Sequence, residues 1–406
     1  MAGSAIDLGG VPVVDNHCHP IEIVQPGTRD DWRACFSESP DAEMRSAGVA
    51  DTVFYRRLLG AMARFHDMGE DDTRGAGIDA PGRPRTEDDA REAAILTARA
   101  GLSAEELSSR LFRDANIAGV VLDTGYPAAD RVIPPQRLES ATGSNTVVLA
   151  RLELHFQDFI IAHANFDELL AAVRHFVDNA RSTGWAGFKS IAAYRTGLAI
   201  ERWSPDAART SFAAARAEVA DTGFVRLGHK PLLDTLLHLA FAAAAAQELP
   251  VQFHVGYGDP DVDLRAASPL ELRAIFEEPS YRAMPVVLLH GCWPYVREGA
   301  YLASVYGNAY LDLSYGIPFL SIGELTAMTR AALGVAPLGK LMYSSDGARV
   351  PELHWLGAHD GRRILGVTLG ELVADGELSR AVAETAGERI LNSTASALYG
   401  ISGVRS

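Results

Sequence analysis

The sequence predicts a (β/α)8 barrel with a helical insertion after the first strand, and three observations carry that prediction. Eight strand-like runs recur with helical stretches between them: Val11 to His17, Ile117 to Leu122, Thr146 to Leu154, Trp185 to Ser190, Val251 to His254, Val286 to His290, Ala309 to Leu313 and Lys340 to Ser344. The runs read as continuously apolar, as parallel strands covered on both faces do. Chemically interesting residues fall at the carboxyl ends of runs spread over the whole length, and in a barrel those ends meet at one mouth. A doubly wound sheet is the second choice.

The first run, Val13-Val14-Asp15-Asn16, leads straight into His17-Cys18-His19. Residues two apart in an extended chain point to the same face, so two imidazoles can grip one ion, while Cys18 faces the barrel wall. A lone His-x-His is weak evidence, and it gains weight because Lys189, His254, His290 and Asp346 each follow another apolar run.

Residues 21–114 are too many for a simple strand-to-helix connection. Val53, Leu58, Leu59, Met62 and Phe65 recur at helical spacing, as do stretches at 93–96 and 102–112, whereas Gly69 to Asp88 is polar and rich in Gly, Pro and charge. This predicts a helical insertion over the mouth with a mobile loop inside it, as a lid or pocket wall or else a dimerising subdomain, within a single 1–406 domain.

Glu153 and His155 lie two apart at the expected end of the third run, where both would face the mouth. Lys189 ends the fourth; a lysine inside a barrel must pair, lose its proton or be chemically altered. Tyr194 and Arg195 follow it, and Arg195, like Arg349 near the chain's end, could clamp a carboxylate. Helices are expected over 207–220, after the starting signal Ser204-Pro205-Asp206, and over 231–247. His254 and His290 close the fifth and sixth runs. Asp346 closes the last, where a closed barrel would set it beside His17 and His19 to bind metal and accept a proton. Helical stretches at 353–357, 365–372 and 379–398 complete the chain.

The chain has 406 residues, 48% of them hydrophobic, enough to bury a large core. A formal charge of -15 and a pI near 5.3 argue against a phosphate-tracking surface, so a small-molecule substrate is expected, with no nucleic-acid or membrane partner. Self-association into a homo-oligomer is left open. Three cysteines without a Cys-x-x-Cys suggest neither a disulfide framework nor a thiolate zinc site. The amino terminus lacks the pattern of a signal peptide, and the apolar stretch from Leu236 to Ala246 is too short to cross a bilayer, which makes the cytoplasm the expected location.

The set His17, His19, Lys189, His254, His290 and Asp346 resembles the metal-site pattern of the amidohydrolase superfamily. Gly187-Phe-Lys-Ser-Ile-Ala-Ala-Tyr-Arg-Thr-Gly-Leu, Phe253-His-Val-Gly-Tyr-Gly-Asp and Tyr343-Ser-Ser-Asp-Gly are similar to its amidohydrolase-related (type 2) branch. Within that branch they resemble the amino-terminal half of fluG and nodulin-like proteins that carry a glutamine-synthetase domain. The sequence stops at Ser406 without such a domain, so coupled ligase chemistry is not expected.

The resemblance implies one divalent ion, zinc before manganese or another, held by His17, His19, His254 and Asp346, with His290 steadying an oxyanion. If Lys189 is carbamylated, His254 and His290 would hold a second ion. Zinc lowers the pKa of its bound water to about 7, and Asp346 would take that proton and pass it to the leaving group. The expected reaction is hydrolysis of an amide C–N bond by metal-bound hydroxide, in a small, carboxylate-bearing substrate such as a γ-glutamyl amide. Decarboxylation of a small unsaturated carboxylic acid and a non-catalytic metal-binding scaffold are the alternatives.

Overall fold

The computed structural model describes residues 5–68, 78–79, 83–84 and 86–402. Among these, all eight apolar runs form parallel strands of one sheet: β1 (Val13–Cys18), β2 (Ile117–Asp123), β3 (Asn145–Arg151), β4 (Gly187–Ser190), β5 (Val251–Phe253), β6 (Val286–Leu288), β7 (Ala309–Ser314) and β8 (Leu341–Ser344). Each pairs with the next in sequence order. Between β8 and β1 the seam closes at the carboxyl ends, where Asp346 N–H donates to the His17 carbonyl at 3.0 Å and His19 N–H to the Gly347 carbonyl at 2.7 Å. The sheet is therefore a barrel, and its closure draws the first and last candidate residues together.

Two apolar layers hold it. Val14, Val121, Leu149, Val287 and Met342 point inward and are plugged from below by Ala395, Tyr399 and Ile401 of the chain's last turns. Outward-facing residues of the same strands, with Leu122, Phe188, Phe253 and Leu311 among them, pack against the surrounding helices in one continuous cluster. Helices cover Pro205–Thr222 and Lys230–Gln247 as expected, both with Pro in the first turn. The two stretches read at 353–357 and 365–372 are one helix, Pro351–Ala374, whose intervening Asp360 is buried against Arg57 and whose Arg362 donates to the Val11 carbonyl instead of marking a loop.

Between β1 and β2 the chain forms helices at Val53–Phe65, Glu87–Ala100 and Ala104–Asp114. Thr86 with Asp89 and Ser103 with Glu106 form reciprocal capping boxes that start the last two. Residues 69–77, 80–82 and 85 of the polar stretch read as a mobile loop lie outside the described residues.

The third run ends earlier than the sequence suggests. β3 stops at Arg151 and a helix, Leu152–Ala162, begins at once. The alternation Leu-Glu-Leu-His imitates a strand, but on a helix residues two apart are about 200° apart. Glu153 is buried and accepts from Ser190 Oγ at 2.7 Å, while the His155 ring packs on Phe176 and Trp185 at 4.4 and 5.6 Å. Neither residue lines the mouth.

Candidate metal centre

The carboxyl ends of the strands open into a cavity of about 710 Å³. His19, Lys189, His254, His290 and Asp346 all line it. His17 lies just beneath, fully buried. A register irregularity between Asp15 and Cys18 re-aims the end of β1, so that Asn16 bonds to Asp312 inside the barrel and the next residue, His17, still reaches the site. Cys18 faces the wall as expected, with Sγ against the Val121 carbonyl.

Asp346 is the hub. Its Oδ1 lies 3.4 Å from His17 Nε2 and 3.7 Å from His19 Nε2, and its Oδ2 lies 3.2 Å from His290 Nδ1. Asp346 and His290 both adopt left-handed backbone angles, φ 54° and 63°, conformations that side chains other than glycine's take up at a cost and that cluster at functional sites. His290 Nε2 approaches His254 Nδ1 at 2.9 Å, and Lys189 Nζ approaches His17 Nε2 at 3.2 Å.

Burial sets the charge states. It drives the His17 imidazole down to about 3 and that of His19 to about 4, and holds His254 well below its ordinary value. Lys189 is lowered to about 8 by burial, against the pull of Asp123. Burial opposes the charge on Asp346, yet His290 and His17 keep its carboxyl well below the usual carboxylate range. The centre thus offers the neutral imidazoles of His17, His19 and His254 beside an ionised Asp346.

That set fits a divalent cation. His17, His290 and Asp346 each present one ligand atom within 4.8 Å of the others, and so do His17, His19 and Asp123. The buried Nδ1 atoms of His17 and His290 have no hydrogen-bond partner among the described residues. Mixed imidazole and carboxylate donors suit zinc and other first-row divalent ions.

Tyr194, Arg195 and Arg349 line the cavity wall as the sequence suggested, although Arg349 is tied to Glu22 at 3.2 Å. Sequence reasoning missed Asp123, Arg151, Tyr257, Glu38 and Arg45. Asp123 ends an apolar strand just as Asp346 does, so the same signal could have found it; it pairs with Arg151 Nη2 at 2.6 Å. Tyr257 donates to Asp346 Oδ2. Glu38 and Arg45 come from the insertion, where nothing in the sequence aims them at the mouth. Glu38 opens onto the cavity but is enclosed by its walls, and burial, then Asp346 and Asp259, raise it to about 7.

The profile of the amidohydrolase family matches residues 158–401, more than half of the chain. The chain belongs to the amidohydrolase family. It is also 35% identical to the protein fluG of Emericella nidulans over 221 residues, 52% of this chain but only 25% of that protein's length. A Lactobacillus casei crystal structure assigned as a metal-dependent hydrolase is 29% identical, covers 98% of both chains and superposes with a TM-score of 0.79. A Thermotoga maritima uronate isomerase superposes with a TM-score of 0.63 over 96% of this chain and 95% of its own, at 12% identity. That likeness concerns the fold alone. For this amidohydrolase-family chain, no described helix is long and apolar enough to cross a membrane.

Proposed function

We propose that this chain is a metal-dependent hydrolase that cleaves the amide C–N bond of a small substrate bearing a carboxylate. The observation that carries the reading is a cavity with the neutral imidazoles of His19 and His254 and an ionised Asp346 at its floor, and with Arg45 and Arg195 on its wall. Neither arginine has an ion-pair partner among the described residues. The relative from Lactobacillus casei, assigned as a metal-dependent hydrolase, supports the hydrolytic assignment.

His17, His19 and Asp346, with a third imidazole from β5 or β6, would hold the ion, zinc in the first instance. An ion held there would supply Lewis acidity toward an amide carbonyl and a nearby water. Asp346 then takes the water's proton and returns it to the leaving nitrogen, with Tyr257 keeping its carboxylate oriented. Lys189, buried at the cavity edge, supplies a cationic donor toward the developing oxyanion. Arg195 receives the substrate carboxylate.

A panel of small amides headed by γ-glutamyl amides, incubated with the zinc-loaded protein, should yield amine and acid, and Asp346→Asn should abolish turnover. Unchanged turnover in Asp346→Asn would overturn the reading. Release of carbon dioxide without water incorporation would replace it with decarboxylation.

A further inference from the structure

Glu38 is a carboxylate with nothing to balance it. It opens onto the cavity from the loop of the insertion that follows the buried Trp32, Cys35 and Phe36. Ser39 N–H donates to Ser37 Oγ and Asp41 N–H to Ser39 Oγ, both at 3.1 Å, so the backbone on either side of Glu38 is held. Its side chain makes no hydrogen bond or ion pair among the described residues. Burial opposes its charge, and the charges that act on it, Asp346 and Asp259, are both negative. Arg45, from the same insertion, and Arg195 line the same cavity without pairing with it. A carboxylate so placed needs a cation from outside the protein.

The surroundings suit an organic cation better than a metal ion. Neither of the two groups close enough to hold a metal ion among the described residues includes Glu38, and one carboxylate supplies too few ligands. Aromatic rings stand nearby instead. Burial raises the hydroxyls of Tyr126, Tyr194 and Tyr257, and Glu38 is among the charges that add to each. These rings pack on His19, His254 and His290, with centroids 5.9, 4.4 and 5.3 Å apart. Tyr126 is 47% exposed, which leaves part of its ring free for a ligand. Tyrosine faces attract ammonium groups, and a carboxylate beside them supplies the matching charge.

We propose that Glu38 is a specificity-determining residue that receives an ammonium group of the substrate, so that the cavity selects an amide carrying a cation as well as a carboxylate. The proposal rests on the proposed function for the amide and for the carboxylate at Arg195, and it adds a second recognised charge. That ammonium belongs either to the acyl side of the amide or to its amine side.

The test is calorimetric titration of the zinc-loaded full chain with ketomethylene isosteres, in which CH2 replaces the scissile N–H so that no C–N bond can be cleaved. One pair is the isostere of γ-glutamyl propylamide and its analogue without the α-ammonium. The other pair is the isostere of the glutaryl amide of 1,4-diaminobutane and its butylamine counterpart. In one of the pairs the wild type should bind the ammonium-bearing member about 10- to 100-fold more tightly, the worth of a hydrogen bond to a charged group, and that pair identifies the side. Glu38→Gln, which removes a charge and no contact within the fold, should abolish the preference while leaving the neutral member's affinity unchanged. A wild type that favours the ammonium-bearing member of neither pair, or a Glu38→Gln chain that keeps the preference, overturns the proposal. A preference that depends on Glu38 in a chain that hydrolyses none of the parent amides would overturn the hydrolase reading and leave the ammonium site standing.

Discussion

The Tyr257 hydroxyl donates to Asp346 Oδ2 at 2.5 Å, and the ring that carries it packs edge-on against His290 with centroids 5.3 Å apart. A donor on a carboxylate favours its charged form, so this hydroxyl adds to the histidines that keep Asp346 ionised against the cost of burial. Tyr257→Phe should lower kcat/KM about 10- to 100-fold, the worth of a hydrogen bond to a charged group at about 1.5–3 kcal/mol. Because Asp346 acts as a base, removal of the donor raises its pKa, and activity should fall away at a higher pH on the acid side. An acid limb that does not move would show that the hydroxyl does not act on Asp346.

Arg195 Nε is buried without a hydrogen-bond partner, and the guanidinium's Nη1 reaches only the Tyr194 carbonyl at 3.4 Å. A guanidinium left idle at a cavity wall is poised for a substrate anion. Arg195→Met should raise KM for a carboxylate-bearing amide by about 10- to 100-fold, with a smaller change in kcat, while a neutral analogue without the carboxylate should lose little. Equal loss for both substrates would place the anion elsewhere.

The fold was legible because eight buried parallel strands leave eight apolar runs, and Lys189, His254, His290 and Asp346 were legible because a polar residue ending such a run stands out. Glu153 and His155 misled for a local reason: Leu152 and Leu154 alternate with them, and only the helix that starts at Leu152 turns the pair apart. Arg45 and Glu38 could not be read, since their approach to the mouth depends on how residues 34–45 fold back from β1 and not on any pattern within those residues.

Protonation of His17 and His19 should cost metal affinity little in mild acid. An imidazole of ordinary pKa, about 6.5, is mostly protonated at pH 5 and loses about 30-fold of its ligand-competent form. Burial holds His17 at about 3 and His19 at about 4, so both remain neutral throughout that window. His17 and His19 together should therefore take less than about tenfold from zinc affinity between pH 7 and 5, against about a thousandfold for two ordinary imidazoles. Lys189, lowered to about 8, should strengthen binding as it loses its charge above that pH. Competitive titration across pH 5 to 9 reads both limbs, and a steep loss between 7 and 6 would contradict the burial argument.

Asp123 and Arg151 should behave as a unit. Arg151 Nε contacts Asp123 Oδ1 at 3.0 Å and Nη2 contacts Oδ2 at 2.6 Å, a forked pair on the adjacent strands β2 and β3. The carboxylate is fully buried, and its other cation, Lys189, stands off at 3.9 Å. Burial opposes its ionisation, yet Arg151, then His19 and Lys189, hold it far below the usual range. Arg151→Met leaves that charge with one distant partner, and removal of one member of a buried pair costs about 3–5 kcal/mol. Urea denaturation of the metal-free chain should show a loss of that size, and Asp123→Leu in the same chain should restore most of it, because two well-packed apolar side chains can replace a buried pair at little cost. A single-variant loss below about 1 kcal/mol would mean that water or Lys189 already satisfies Asp123 without the arginine.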